Sequence, residues 1–293
     1  MQFQMKKVFV LLLVIGMSLL VGKVWYWQTD GFARSRIYGW TQELEGRWWN
    51  AEADRAICQN FTYLGRGRQA FAFVSQDRQY VLKFPRGDIY KLPFWLRVLP
   101  LKSWRKRQIA RKALRELGVL QSAYLAMEEL QDATALIAMN FSFRKGPEQK
   151  WVKLTDKAGR SHHIALSNTY FILQRRKELF RDIIQEAARK EGIGGVEKVL
   201  DGVFKVIVER TQKGILNRDG SFLRNYGFDE KRAYQTDVGS FFKVNQPIGK
   251  ELFFRSMELS VKPIRRWMSL KHPEWVDLLD QKREQVLQHF AEL

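Results

Sequence analysis

Hydrophobic and polar positions alternate with a two-residue period in several short stretches of the first half of the chain. The alternation over 61–73 and the apolar run at 78–84 are typical of β-strands. Further strands are predicted at 135–143 and 170–173, and 150–166 predicts a hairpin that turns at 157–159. The first half is therefore expected to be rich in β-structure.

The spacing then changes to that of amphipathic helices. Apolar residues recur every three or four positions over 104–130, so one face of a long helix there is apolar. Two more helices are predicted at 178–191 and 196–213, and the chain from 249 onward has the same helical spacing with a break at 271–273. A β-rich first half and an α-rich second half together predict the α+β class.

The N-terminus has the pattern of a membrane segment. Residues 8–22 carry no charge, Lys6 and Lys7 precede them, and an aromatic cluster follows at 25–27. Fifteen apolar residues also suit a signal peptide, but no small-x-small cleavage site lies near Gly22. We therefore expect an uncleaved, single-pass N-terminal transmembrane helix, with a cleaved signal peptide as the alternative.

Charge points to an anionic partner. The 293 residues include 50 Lys and Arg against 31 Asp and Glu, a net charge of +19. Ten of these cations lie between Arg86 and Arg115, interleaved with aromatic and aliphatic residues. This basic patch suits an anionic membrane surface, while nucleic acid is the less favoured partner and a solvated helix face the simplest explanation. Since Cys58 is the single cysteine, an internal disulfide is excluded.

Three segments carry groups that suit a phosphate and metal site. They are Leu64-Gly65-Arg66-Gly67 with Lys83 after an apolar strand, 214–219 with Asn225, and Asp237-Val238-Gly239. Glycine lets backbone N–H groups approach phosphate oxygens because no Cβ intervenes. Carboxylate and amide oxygens are ligands that Mg²⁺ accepts. An isolated Gly-x-Gly is more often an ordinary turn, so the prediction depends on all three segments and their order.

In this order and at this spacing the segments resemble the protein-kinase superfamily over 62–241. The resemblance implies a two-lobed protein-kinase-like fold with a β-rich N-lobe and an α-rich C-lobe, and ATP and Mg²⁺ as cofactors. The roles it implies are phosphate binding for Gly65, Gly67 and Lys83, orientation of the acceptor hydroxyl by the catalytic carboxylate of Asp219, and metal binding for Asn225 and Asp237. Lys83 also counts as catalytic, since it neutralises phosphate charge.

The resemblance further implies an ion pair between Lys83 and a glutamate of the following helix. Glu116 lies at the border of the apolar face of that helix and is the best candidate. The alternative is a surface pair with Lys112, four residues earlier. For the whole chain we expect a membrane anchor with its flanks at 1–30, a connector at 31–60, the N-lobe at 61–173 and the C-lobe at 174–293.

The sequence also departs from the kinase pattern. Asn217 replaces the usual histidine, six residues instead of five separate Asp219 from Asn225, and no A-P-E-type activation segment follows Asp237. The extra residue is expected to loop out near 220–221. We expect an atypical ATP/Mg-dependent phosphotransferase anchored at a membrane, with its catalytic domain in the cytoplasm, where ATP is available. The alternatives are a nucleotide-binding pseudokinase acting as a membrane-tethered interaction module and a basic scaffold protein.

Overall fold

The computed structural model describes residues 2–38, 40–44, 46–93, 96, 102–142, 150–219, 223–245 and 248–292. Its helices are α1 (Gln2–Thr29), α2 (Arg34–Ile37), α3 (Ala51–Ile57), α4 (Lys102–Glu129), α5 (Gln131–Thr134), α6 (Phe180–Glu191), α7 (Ile193–Gln212), α8 (Lys250–Lys271) and α9 (Val276–Glu292). Its strands are β1 (Arg47–Trp48), β2 (Asn60–Arg66), β3 (Ala70–Ser75), β4 (Tyr80–Pro85), β5 (Leu136–Asn140), β6 (Trp151–Thr155), β7 (Ser161–Ala165), β8 (Phe171–Arg175), β9 (Glu178–Leu179), β10 (Ile215–Asn217), β11 (Tyr226–Phe228), β12 (Ala233–Gln235) and β13 (Phe241–Lys243). The predicted α+β class is confirmed.

Eight strands form one curled sheet in the order β1-β5-β8-β4-β3-β2-β6-β7. The β2–β3 and β3–β4 pairs are antiparallel hairpins, and the predicted hairpin of β6 and β7 joins the edge of β2 through a parallel pairing. Because side chains alternate along each strand, the sheet has two distinct faces. We call residues 47–175 the sheet region.

One face of the sheet is covered by residues that the sequence analysis treated as a connector. Phe32 and Ile37 are fully buried, and Ala53 and Ala56 of α3 pack into the same apolar cluster. Phe32 meets the rings of Phe71 and Phe73 edge-on, each at a centroid distance of 5.2 Å. The segment 31–60 therefore contributes to the hydrophobic core of the sheet region. The segment packs as short irregular pieces, so its apolar positions show no regular spacing along the sequence.

The opposite face of the sheet packs on helix α4. Leu120 and Met127 of this helix share an apolar cluster with Met139 and Ile172 of the sheet. Val238 and Phe241 from the second half of the chain join the same cluster. This cluster is where the two halves of the chain meet.

The second half forms a helical region, residues 180–292, with its own core. Helices α6 to α9 surround a buried cluster that includes Phe180, Leu200, Phe253 and Met268. The predicted break after α8 is present, since the helix ends at Lys271 and Pro273–Trp275 forms a short 3₁₀ turn. Short strand pairs, β10 with β13 and β11 with β12 and β9, lie at the border with the sheet region.

Helix α1 covers the predicted anchor and continues to Thr29, with exposed side chains that include Phe9, Leu19 and Trp27. In the part of the chain that the structure describes, no helix combines the length and the apolar content that a membrane crossing requires. The end of α1 contacts the sheet region through its aromatic residues. The guanidinium of Arg160 lies 4.2 Å from the ring centroid of Trp25, and that of Arg66 lies 4.8 Å from the ring centroid of Tyr26.

Candidate functional site

Lys83 lies in the middle of β4 and reaches from the sheet region to the second half of the chain. It shares a cross-strand row with Ala72 and Gly65, on the face of the sheet that packs against α4. Its Nζ donates a hydrogen bond of 2.7 Å to the carbonyl oxygen of Thr236, the residue before Asp237. Burial lowers the pKa of Lys83, and the nearby charge of Asp237 opposes that shift. Lys83 and Asp237 are therefore neighbours, as their predicted roles require.

The β11–β12 hairpin brings Asn225 and Asp237 together. Asn225 directly precedes β11, and Thr236 and Asp237 directly follow β12. The backbone N–H of Thr236 donates to the carbonyl oxygen of Asn225 at 2.7 Å, so the antiparallel pairing continues past the two strands. The two predicted metal ligands are therefore separated in sequence but adjacent across a hairpin.

The two side chains differ in their surroundings. Asn225 is buried, and its Nδ2 has no hydrogen-bond partner among the described residues. Asp237 is exposed, and its Oδ1 accepts a hydrogen bond of 3.1 Å from the backbone N–H of Gly239. Within the described part of the chain, no group of three or more His, Cys, Asp or Glu could hold a metal ion. A metal here would rely on oxygens of Asn225 and Asp237 completed by phosphate and water, which is how Mg²⁺ is usually held beside a nucleotide.

Asp219 follows β10, which pairs with β13 just beyond residues 236–240, the segment between β12 and β13 that we call the Asp237 loop. The Arg218 N–H donates to the carbonyl oxygen of Ser240 at 3.0 Å. The side chain of Asn217 binds both backbone polar groups of Asp219, because its Oδ1 accepts from the N–H at 3.0 Å and its Nδ2 donates to the carbonyl oxygen at 3.1 Å. Asn217 therefore fixes the backbone of the predicted catalytic residue. The predicted loop-out near 220–221 lies outside the described residues.

The glycine-containing turn lies between β2 and β3 and reaches the Asp237 loop. Gly65 sits at an irregularity in the β2–β3 register, and the Gly67 N–H donates to the Ala70 carbonyl oxygen at 2.9 Å to close the turn. Gln69, in the same turn, packs so closely on Gly239 that a Cβ added at Gly239 would overlap its Oε1. The turn therefore closes over the loop that carries Asp237, with Lys83 on the adjacent strand.

Glu116 has different partners from those predicted. It is buried on α4, where its carboxylate accepts hydrogen bonds from the Thr41 N–H at 2.5 Å, the Thr41 hydroxyl at 2.7 Å and the Gln42 N–H at 2.9 Å. Neither the ion pair with Lys83 nor the surface pair with Lys112 is formed in this structure. The reason is that a carboxylate with three short donors is already satisfied, while Lys83 is engaged by a backbone carbonyl.

The structure adds two residues that the sequence analysis did not single out. Ser122 of α4 is buried, and its hydroxyl donates to the Val238 carbonyl oxygen and accepts from the Phe241 N–H, both at 2.5 Å. It thereby holds the Asp237 loop against α4. In the sequence, Ser122 could have been noticed as a serine on the apolar face of a predicted helix.

Arg210 is the second such residue. This fully buried cation of α7 donates to the Gln235 Oε1 and interacts with Tyr226, the two residues that form the first cross-strand pair of the β11–β12 hairpin. Burial raises the pKa of Tyr226, and the Arg210 charge opposes that shift. Arg210 therefore holds the end of the hairpin from which Asn225 and Asp237 extend. An arginine at a core position of an amphipathic helix was the available sequence signal.

Comparisons with known proteins do not identify a family for this chain. No family model and no curated protein matches the chain. A 2.2 Å crystal structure of WbdD has a TM-score of 0.36 and 15% sequence identity, with 79% of this chain and 45% of that chain covered. A medium-resolution structure of the bifunctional kinase-methyltransferase WbdD has a TM-score of 0.33 and 16% identity, with 77% and 43% covered. This chain thus spans less than half the length of WbdD, and similarity at this level supports no argument about function.

Proposed function

We propose that this protein is a phosphotransferase with a protein-kinase-like fold that uses ATP and Mg²⁺. The observation that carries the proposal is the hydrogen bond from Lys83 Nζ to the Thr236 carbonyl oxygen. It places a partly buried cation beside Asp237, while the Thr236 N–H ties the same strand to Asn225. A phosphate-neutralising lysine and two oxygen ligands for a metal therefore converge, and the turn at Gly65–Gly67 closes over them.

Each group has a definite task in this proposal. Lys83 neutralises phosphate charge, and N–H groups of the Gly65–Gly67 turn bind phosphate oxygens. Oxygens of Asn225 and Asp237 would hold Mg²⁺, which when bound would neutralise phosphate charge. Asp219 orients the acceptor hydroxyl and takes its proton as the oxygen bonds to phosphorus and the bond to the departing ADP breaks. Catalysis then consists mainly of positioning and charge neutralisation.

Metal-dependent nucleotide binding tests the proposal. Calorimetry should detect ATP binding to the wild-type protein with Mg²⁺ present, and Asp237→Ala should weaken it at least tenfold because a metal ligand is lost in the ground state. Asp219→Ala should retain binding but lose turnover, since this carboxylate acts on the acceptor. Asp277→Ala, which removes an exposed carboxylate of α9, is the matched control. Equal ATP affinity in the wild type and Asp237→Ala would refute the metal assignment.

A nucleotide-binding pseudokinase is the second candidate, and the surroundings of Glu116 favour it. Because Glu116 is bound by Thr41 and Gln42, Lys83 lacks the carboxylate partner that the kinase resemblance implies. A pseudokinase would bind ATP, lose that binding in Asp237→Ala and show no phosphoryl transfer or ATP hydrolysis with or without Asp219. Turnover that disappears in Asp219→Ala would exclude it.

We also propose that α1 attaches the protein to a membrane and that the site faces the cytoplasm. The support is the run of exposed apolar side chains along α1 and the aromatic residues at its end. Mass spectrometry of the mature N-terminus tests this, because cleavage beyond Lys23 would remove the attachment.

A further inference from the structure

The first half of α4 carries a positively charged surface that the proposed site does not use. Five of its cations are exposed, and we call them the basic face: Lys102, Lys106, Arg107, Arg111 and Arg115. The sequence contains no acidic residue between Asp88 and Glu116. The positive potential of this surface is therefore not offset by neighbours along the chain.

The described residues do not neutralise the basic face in three dimensions either. Within the described residues, none of the five forms an ion pair or a hydrogen bond. Exposed lysines on other helices do, as in the pairs Lys190–Glu186 at 2.6 Å and Lys198–Glu191 at 2.5 Å. The basic face is thus available to an external anion.

Apolar side chains accompany these cations. Leu114 is 70% exposed and lies one turn from Arg111 on the outer side of the helix. Ile109 is 53% exposed, although it lies on the side of α4 that packs on the sheet further along the helix. The first half of α4 therefore combines free cations with exposed aliphatic groups.

A chain of contacts joins this half of α4 to the end of α1. Lys112 Nζ donates to the Ile89 carbonyl oxygen at 2.7 Å, and the adjacent Asp88 lies 3.8 Å from the guanidinium of Arg36. The Gly87 N–H donates to the Arg36 carbonyl oxygen at 2.9 Å, and the Arg36 guanidinium packs against Gly31, just after α1. Helix α1 and the half of α4 that carries the basic face are therefore connected through one short series of packed residues.

We propose that the basic face binds the surface of an anionic lipid bilayer. The inference rests on the proposed attachment of α1 to a membrane. It adds a second contact, between the basic face and negatively charged lipid headgroups. Free cations beside an exposed aliphatic group suit a headgroup layer, where the cations meet phosphates and Leu114 enters the acyl boundary. Nucleic acid would use the cations but would leave Leu114 and the apolar surface of α1 without a partner.

The test uses the full chain and two kinds of vesicle, one of phosphatidylcholine and one of equal parts phosphatidylcholine and phosphatidylglycerol. A fluorophore on Ala110→Cys, in a Cys58→Ser background, reports proximity to headgroup-labelled lipid by energy transfer. Transfer should be larger on the phosphatidylglycerol vesicles and should fall with added salt. The variant Lys106→Gln/Arg107→Gln/Arg111→Gln should abolish that difference. The control Arg255→Gln/Lys262→Gln/Arg266→Gln, three exposed cations of α8, should retain it.

The outcomes separate this inference from the proposed attachment by α1. If the protein bound both vesicles and energy transfer at Ala110→Cys did not depend on salt, the basic face would not bind lipid. The attachment by α1 would remain supported. Binding to phosphatidylglycerol vesicles alone, weakened on the order of a hundredfold in the α4 variant, would support the basic face and overturn the attachment. Association with neither vesicle would overturn both. Tight binding of duplex DNA that the α4 variant loses, with no lipid dependence, would assign the basic face to nucleic acid.

Discussion

Lys83 combines burial with a backbone partner, so its charge is less stabilised than that of an exposed lysine. Burial lowers its pKa, while Asp237 supplies a partial counter-charge without an ion pair. Phosphate groups of a bound nucleotide would supply the missing negative charge. The ionisation of Lys83 is therefore expected to be linked to nucleotide binding.

Proton uptake on ATP binding tests this linkage. In the free protein Lys83 loses its proton at a lower pH than an ordinary lysine, and bound phosphates raise its pKa. Binding should therefore take up as much as about one proton between the two pKa values, and affinity should fall as the pH rises through the lower one. Calorimetry in buffers with different ionisation enthalpies measures the uptake. Lys83→Arg should bind without it, and equal uptake in both proteins would exclude Lys83 as its source.

Residue types and their order in the chain were enough to select the side chains of the candidate site, but not to predict their contacts. Lys83, Asn225 and Asp237 could be identified because few side chains suit phosphate and metal, and their order matched a known pattern. The partner of Glu116 could not be identified, since Thr41 lies 75 residues away in a segment without periodicity. Long-range pairing of this kind depends on how irregular segments pack, which local spacing does not encode.

At the scale of elements, α4 connects the N-terminal segment to the Asp237 loop. Its buried Glu116 binds Thr41 and Gln42 on one side, and Ser122, two turns further along, binds Val238 and Phe241. The helix and most strands were predictable, because period and turn residues mark them in the sequence. The short strands β1 and β9, of two residues each, were not, since they exist only through pairing with β5 and β11.

Glu116→Gln tests whether this carboxylate has a structural role. One oxygen becomes an NH₂ group that faces N–H and O–H donors, so we expect a loss of about 1–3 kcal/mol in the free energy of unfolding. Urea denaturation measures the loss. Glu128→Gln is the control on the same helix, because Glu128 is exposed and accepts one hydrogen bond, from Trp48 Nε1 at 3.0 Å. An unchanged midpoint for Glu116→Gln would contradict the role.

The β11–β12 hairpin depends in a similar way on Arg210. Arg210→Met leaves the Gln235 amide without its donor and removes the contact with Tyr226, so stability should fall by about 1–3 kcal/mol. Asn225 and Asp237 extend from the same end of the hairpin, so Mg²⁺-dependent ATP affinity should fall as well. Lys205→Met, at an exposed position of the same helix, should change neither quantity. If the stability fell while the Mg²⁺ dependence of ATP affinity stayed unchanged, Arg210 would stabilise the core without supporting the metal site.

At the scale of the whole molecule, the sheet and helical regions share a core. Val238 and Phe241 from beyond β12 pack with Leu120 and Met139, so the cluster around α4 belongs to both halves of the chain. The segment 31–60 adds to the opposite face of the sheet. Loss of either contribution is therefore expected to destabilise both regions, so that the chain still unfolds in a single cooperative transition.

Phe32→Ala tests this cooperativity. Phe32 is fully buried against the sheet and contacts Phe71, Phe73 and His162, so its removal leaves a cavity and should cost about 3–5 kcal/mol of unfolding free energy. Phe254→Ala, a half-exposed phenylalanine of α8, should cost less than half as much. Urea unfolding followed by tryptophan fluorescence and by far-ultraviolet circular dichroism should show one shifted transition with both probes. If circular dichroism instead showed the helices unfolding at their wild-type midpoint, the two regions would be independent, and residues 31–60 would stabilise the sheet alone.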